Sequence, residues 1–236
     1  VARSRRTIPP HILAVIPVSG QDAEFQRGLP TLGGRSILDF TFDAARSARR
    51  LSRVVVSTDD RRIAAAARQA GLEAPFVRTR PSRRWPLADV LNDAVRRLGA
   101  RGAYRPDWIV RLQVTYPFRE PGMIDRAIAT VLQQDLDSAF MAFPEFDTFW
   151  QFEPGGAPVR ITTNTAVPRR RRPPIYREMG GLFSMVRRDV LARGALYGDR
   201  LGILPIESIV SSIDLHSMHG LDLAAVVAAS SAPRRR

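Results

Sequence analysis

RVVVSTDDRRIAAAARQAGLEAPFVR occupies residues 53–78. Arg53–Ser57 carries three valines in a row with no polar alternation, the mark of a strand buried on both faces of a parallel sheet. Thr58 or Asp59 then offers a side-chain oxygen to the free N–H groups of a helix start. Asp59 and Asp60 read as cap and dipole partner of that helix rather than as ligands. An alanine-rich helical run follows and stops at Gly71. Pro75–Val77 reads as a short strand.

The same rhythm extends outward from this unit. His11–Pro17 is a strand bounded by prolines. Ser36–Ala48 is a helix with Ile37, Phe40, Ala44 and Ala45 on one face. Leu87–Leu98 is a helix ending at Gly99, Trp108–Leu112 a buried strand, Gly122–Gln133 a helix and Ala139–Phe143 a strand. Strands alternating with helices predict a doubly wound α/β fold with a mostly parallel sheet and helices on both faces. Ligands bind such sheets at the carboxyl ends of the strands. Those ends are polar here: Ser19-Gly20, then Ser57-Thr58-Asp59-Asp60, then Gln113 and Thr115.

After Pro144 the character changes to aromatic, then proline-rich and basic. Residues 145–182 read as an excursion from the sheet, an arm suited to a partner subunit. Its aromatics Phe146, Phe149, Trp150 and Phe152 read as arm packing or a dimer core. "GLFSMVRRDVL" returns to strand and helix. The expected organisation is a flexible segment 1–10, one domain over 11–229 and a disordered tail 230–236.

The chain has 236 residues, 44% hydrophobic, a net charge of +13 and no cysteine. That supports one sizeable core and excludes disulfides and thiolate metal sites. Every basic residue is arginine, so a Walker-A lysine and a Schiff-base lysine are both excluded. The arginines are spread along the chain, which argues against nucleic-acid binding. The apolar run Ile12–Pro17 is too short for a signal-peptide core, and nothing approaches a membrane span. A cytoplasmic protein is expected.

Six segments in order carry a resemblance: "ILAVIP", "TLGGRSILDFTFDAA", "RVVVSTDDRRIAAAARQAGLEAPFVR", "VRLQVTYPFREPGMIDRAI", "PIYREMGGLFSMVRRDVL" and "SIDLHSMHGLDLAAV". Together they resemble the acylneuraminate cytidylyltransferases (CMP-sialic acid synthetases), relatives of the CMP-Kdo synthetases. The resemblance implies a Rossmann-like nucleotidyltransferase fold with a protruding dimerisation arm and a homodimer. It also implies CMP transfer from CTP to an acidic sugar or related anionic acceptor, with Mg²⁺ or another divalent cation.

It further implies roles for particular residues. Ser19, Gly20, Arg27 and Ser57 would bind the nucleotide, with Arg27 in the place of a family lysine. Gln113, Tyr176 and Arg177 would face the acceptor. Asp214 and His216 would hold the metal and, with Arg27, serve catalysis.

Departures from the family pattern are concentrated at the site. Where the family reads Ala-Arg-Gly-Gly-Ser-Lys, this chain has Val18, Ser19, Gly20, Gln21, Asp22 and Ala23, without either cation. His216 replaces a second aspartate, and Mg²⁺ prefers hard oxygen ligands. If Asp214 and His216 lie in a strand, they share a face. Met179 replaces an asparagine, which removes a polar acceptor contact. Arg78, Arg80, Arg83 and Arg84, with Arg111 and Arg119, could supply the missing cations, although a solvated surface is the default expectation for each. The competing function is a catalytically degenerate relative that binds ligand or serves as a scaffold. His11 and His219 are expected to carry no chemistry.

Overall fold

A computed structural model describes residues 9–22, 29–79, 85–162, 167–217 and 219–231. The first strand, β1 (Ile12–Val18), is buried along its whole length. A two-residue hairpin, β2 (Thr31–Leu32) and β3 (Arg35–Ser36), precedes α1 (Ile37–Ser47). Then come β4 (Arg53–Thr58), α2 (Arg61–Gln69), α3 (Leu87–Gly102), β5 (Trp108–Arg111), α4 (Met123–Gln133) and β6 (Ser138–Glu145). The second half holds β7 (Trp150–Phe152), β8 (Pro158–Arg160), β9 (Ile175–Glu178), β10 (Ser184–Arg187), α5 (Arg188–Ala192), β11 (Leu201–Pro205) and α6 (Gly220–Ser231).

The main sheet runs β11-β6-β10-β5-β1-β4, with β9 paired to the far end of β6. β4, β1, β5, β6 and β11 point one way, whereas β10 and β9 oppose them. The sheet is therefore mostly parallel, as the alternating rhythm predicts. Alternation along the strands splits the apolar residues into two layers. Ala14, Ile16, Val110 and Leu112 meet Phe42 of α1, Ile63 of α2 and Ile128 of α4. Leu13, Val15, Val55 and Ile109 meet Leu91 and Leu98 of α3 and Leu191 of α5. Each of the valine, leucine, isoleucine and phenylalanine side chains contributes about 1.5–3 kcal/mol when fully buried. No helix among the described residues is long and apolar enough to cross a membrane.

Several local expectations need correction. The buried face of α1 is Ile37, Leu38, Thr41, Phe42 and Ala45, and Phe40 and Ala44 sit at its margin. Asp60, not Thr58 or Asp59, caps α2, accepting from the Arg62 amide. Residues 75–77 form no strand; single bridges Val55↔Glu73 and Thr58↔Val77 hold that segment to β4. Helix α3 runs through Gly99 and ends at Gly102, where Ala103 takes the left-handed turn at φ 55°. Gly122 is left-handed too, at φ 71°, and turns the chain into α4.

The excursion leaves the sheet as the hairpin β7–β8 and returns as β9 on the extended end of β6, with Ala142↔Glu178 and Pro144↔Tyr176 in register. The hairpin aromatics find no core: Trp150 is 55% and Phe152 77% exposed. The Arg160 guanidinium lies 4.8 Å over the Trp150 ring. Residues 1–8 and 232–236 lie outside the described residues, so the flexible start and disordered tail are not addressed. Ser230 and Ser231, placed in that tail, belong to α6.

Candidate active site

β4, β1 and β5 end side by side, because β1 pairs with both neighbours in parallel. The loop after β1 is fastened to the loop after β4. Asp59 accepts from the Ser19 hydroxyl at 2.9 Å and from the Gly20 amide at 2.8 Å. Asp22 accepts from the Ser19 amide at 3.4 Å. Asp59 is thus a loop clamp rather than a helix cap. The anion-binding donors expected at Ser19 and Gly20 point at carboxylates. Gly20 is required by space: a Cβ there would meet Asp60 Oδ2 at 2.4 Å.

Beneath this loop lies Arg78, only 2% exposed. Its guanidinium donates to the Ser57 hydroxyl at 3.0 Å and to the Val18 carbonyl at 2.9 Å, tying the ends of β4 and β1 together. Burial lowers its pKa, and Asp59, Asp93 and Asp22 oppose that shift. Its Nε is buried without a partner among the described residues. Gly20, Gln21, Asp59, Asp60, Arg61, Arg78 and Thr79 line a cavity of about 320 Å³. Ser57 is fully buried behind Arg78, so Arg78 rather than Ser57 faces the cavity. A solvated surface role for Arg78 is overturned. Arg27, Arg80, Arg83 and Arg84 lie outside the described residues.

A second polar cluster forms where β5 meets the turn before β10. Arg111 Nε donates to the Gly180 carbonyl at 2.9 Å, and the Gln113 amide donates to the Gly181 carbonyl at 2.8 Å. Both side chains lie against these glycines. A Cβ at Gly180 would be 1.9 Å from Arg111 Nη2, and one at Gly181 2.1 Å from Gln113 Oε1. The adjacent Met179 is fully buried in the core. Tyr176 and Arg177 alternate along β9, so they present to opposite sides. Arg177 pairs with Glu145 at 2.9 Å and lies 5.5 Å over the Phe143 ring. Glu178 accepts a hydrogen bond from the Tyr197 hydroxyl.

Arg119 is committed to structure. Its five N–H groups reach the carbonyls of Leu182, Tyr116, Gln113 and Gly181 and the Thr41 hydroxyl, all at 2.7–2.9 Å. Burial pushes its pKa down to about 9, which leaves it charged at neutral pH. It is neither a solvated residue nor a free phosphate cation.

Asp214 sits beside the strand-end segment, anchored by the Leu215 amide donating to the Thr115 carbonyl at 2.9 Å. Residues 213–217 are turn and loop, not strand. The Asp214–His216 proximity therefore comes from an Asx turn, in which the His216 amide donates to Asp214 Oδ1 at 3.0 Å. His216 Nδ1 is 3.6 Å from the same oxygen. Gly220 closes the turn, since a Cβ there would strike the Asp214 carbonyl. Burial raises the Tyr116 phenol pKa, as does Asp214. Among the described residues no cluster of three or more His, Asp or Glu could hold a metal.

Sequence reasoning missed Asp59 as a clamp and Glu178 and Tyr197 as site neighbours. The paired glycines of "EMGG" were the available signal for a close approach at that turn.

Comparison with known proteins places this geometry. The family model described as Cytidylyltransferase matches residues 26–193. The chain is 34% identical over 122 residues to the 3-deoxy-manno-octulosonate cytidylyltransferase of Anaeromyxobacter sp. (strain K), covering 51% of this chain and 47% of that protein. The enzyme of that name from Geobacter sulfurreducens is 33% identical over 125 residues, covering 52% and 46%. The chain thus spans about half the length of the curated relatives it matches. Among solved structures, a CMP:2-keto-3-deoxy-manno-octonic acid synthetase complexed with CTP aligns with a TM-score of 0.67 at 14% identity, covering 93% of this chain and 99% of that one. A 4-diphosphocytidyl-2C-methyl-D-erythritol synthase from Anaerococcus prevotii aligns at 0.63 and 12% identity, covering 93% and 99%. These two likenesses establish the nucleotidyltransferase fold.

Proposed function

The chain belongs to the cytidylyltransferase family, and on that premise we propose that it transfers CMP from CTP to an acidic sugar with release of pyrophosphate. The observation that carries this reading is the family match over residues 26–193, which includes the polar ends of β4 and β5 and the glycine pair beneath Gln113. The acceptor reading draws on two sources. The curated relatives are named for 3-deoxy-manno-octulosonate, and the ordered motifs resemble enzymes acting on acylneuraminates. Both acceptors are acidic sugars.

In this reading the acceptor hydroxyl oxygen attacks the α-phosphorus of CTP. A new P–O bond forms, the bond to the β-phosphate bridge oxygen breaks, and pyrophosphate leaves while the hydroxyl proton passes to solvent. The nucleotide lies over the ends of β1 and β4, against Ser19, Gly20 and the Arg78 that covers Ser57. Gln113, with Tyr176 on β9, borders the acceptor, whereas Arg177 on the opposite side of β9 is held by Glu145. Placing both substrates on strand ends that the sheet already fixes lowers the entropic cost of their encounter.

A divalent cation fits only as one shared with substrate. Mg²⁺ is commonly held by one or two carboxylates together with phosphate oxygens and water, and Asp214 offers one carboxylate. His216 is a weak partner for so hard an ion. Such a cation would offset negative charge on the triphosphate.

The test is calorimetric titration of CTP, ATP, GTP and UTP, each with and without Mg²⁺, followed by pyrophosphate release with acidic sugars. The expected outcome is CTP-selective binding strengthened by Mg²⁺ and lost by at least tenfold in Asp214→Ala. No binding of any triphosphate at millimolar concentration would overturn the transferase reading.

A further inference from the structure

Arg111 is 7% exposed, yet only its Nε has a partner, the Gly180 carbonyl. Its two terminal nitrogens donate to no atom among the described residues, and neither is sealed from solvent. A buried guanidinium without a bound counter-charge costs several kcal/mol in general. The neighbouring carboxylate, Glu178, is engaged by the Tyr197 hydroxyl instead. The backbone is arranged around this side chain: any Cβ at position 180 would lie 1.9 Å from Arg111 Nη2 and 2.7 Å from Glu178 Oε1. Two residues along, Gln113 lies over Gly181 in the same manner. Thr115 Oγ1 is a further buried oxygen without a partner among the described residues.

We propose that Arg111 is the residue that selects an acidic acceptor, its two terminal nitrogens taking the acceptor's carboxylate while Glu178 and Gln113 take hydroxyl groups. With Nε already used, the guanidinium presents its Nη1–Nη2 end, which offers a carboxylate two parallel N–H donors. A triphosphate is the poorer occupant. Ser57, which the Arg78 guanidinium covers, ends β4, and β1 lies between β4 and β5, so Ser57 and Arg111 stand on strands about 10 Å apart. Binding an acid at Arg111 would therefore set the acceptor beside a nucleotide held over β1 and β4. Glu178 is exposed, so solvent screens its repulsion of the incoming carboxylate, and its remaining lone pairs suit sugar hydroxyls.

This inference rests on the acidic-sugar reading but can fail separately from it. The probes are 3-deoxy-manno-octulosonate, N-acetylneuraminate and the carboxamide of each. Binding is measured by calorimetry, and turnover by pyrophosphate release with CTP and Mg²⁺. The unmodified protein is expected to bind at least one acid tenfold or more tighter than its carboxamide. Arg111→Gln should lose that preference and raise the acid's KM at least tenfold with CTP affinity within twofold. Arg111→Lys should restore part of the preference.

Acid binding that is lost in Arg111→Gln, without pyrophosphate release by the unmodified protein, upholds this assignment and removes the transferase reading. Pyrophosphate release with an unchanged acid KM in Arg111→Gln does the reverse. If Arg111→Gln does not fold, the unmodified protein still decides, since equal binding of acid and carboxamide, or no binding of either acid, overturns the proposal.

Discussion

At the residue scale, carboxylates occupy the donors expected to meet phosphate. Ser19 and Gly20 give their hydroxyl and amide to Asp59, and Asp22 takes the Ser19 amide. An incoming triphosphate must compete with these anions and bear their repulsion. A like charge several ångströms away in a partly solvated cleft costs on the order of 1 kcal/mol, or roughly fivefold in affinity. Asp59→Asn keeps an acceptor for the loop and removes the charge. It should tighten CTP binding about fivefold without Mg²⁺, with a smaller gain at high salt. Weaker binding on calorimetric titration would instead make Asp59 a direct ligand contact. Sequence alone made both aspartates look like cap and dipole partners; only the fold separates the cap, Asp60, from the clamp, Asp59.

At the element scale, α2 is the helix that orients the strand-end loop. Asp60 anchors its first turn by accepting from the Arg62 amide at 2.7 Å and pairing with the Arg62 guanidinium. Those contacts with Arg62 hold the Asp60 carboxyl below its ordinary 3.8, while burial opposes them. A depressed folded-state value means the unfolded chain binds the proton more readily. The stabilisation is therefore complete above about pH 4 and is lost as pH falls through the folded value. Asp60→Ala should cost about 1 kcal/mol in urea unfolding at pH 7, with the deficit shrinking at pH 3. A constant deficit across that range would place the effect in packing.

Legibility differed among elements for physical reasons. β1, β4 and β5 were readable because continuous apolar runs are what double-sided burial demands. β11 was not read, since it is an edge strand with three of its five residues exposed, and its short run competes with turn signals. Helix α6 is nearly all small or apolar residues, so it lacks the polar face that marks an amphipathic helix.

At the scale of the whole molecule, the arm is apolar where it meets solvent. Trp150, Phe152 and Ile161 are 55%, 77% and 46% exposed, whereas a monomer seldom leaves neighbouring large apolar side chains uncovered. We propose that a homodimer, as the resemblance implies, covers them. Light scattering after size exclusion should give twice the chain mass of 26.3 kDa. The double substitution Trp150→Ser with Phe152→Ser should shift it toward the monomer and leave far-ultraviolet circular dichroism unchanged. A monomeric unmodified protein at micromolar concentration would rule the dimer out.

The sequence by itself determined the alternation of strand and helix, the polar ends of the strands and the arm after Pro144. These follow from local periodicity, glycine and proline positions and capping residues, all legible within a few positions of the chain. Tertiary structure alone decided which polar groups face one another. It set Asp59 against Gly20, Arg78 between Ser57 and Val18, and Arg111 against Gly180 with no ion-pair partner among the described residues. Each of those contacts joins residues 21 to 69 positions apart. Strand order and register bring them together, and neither is written in the local pattern of any one segment.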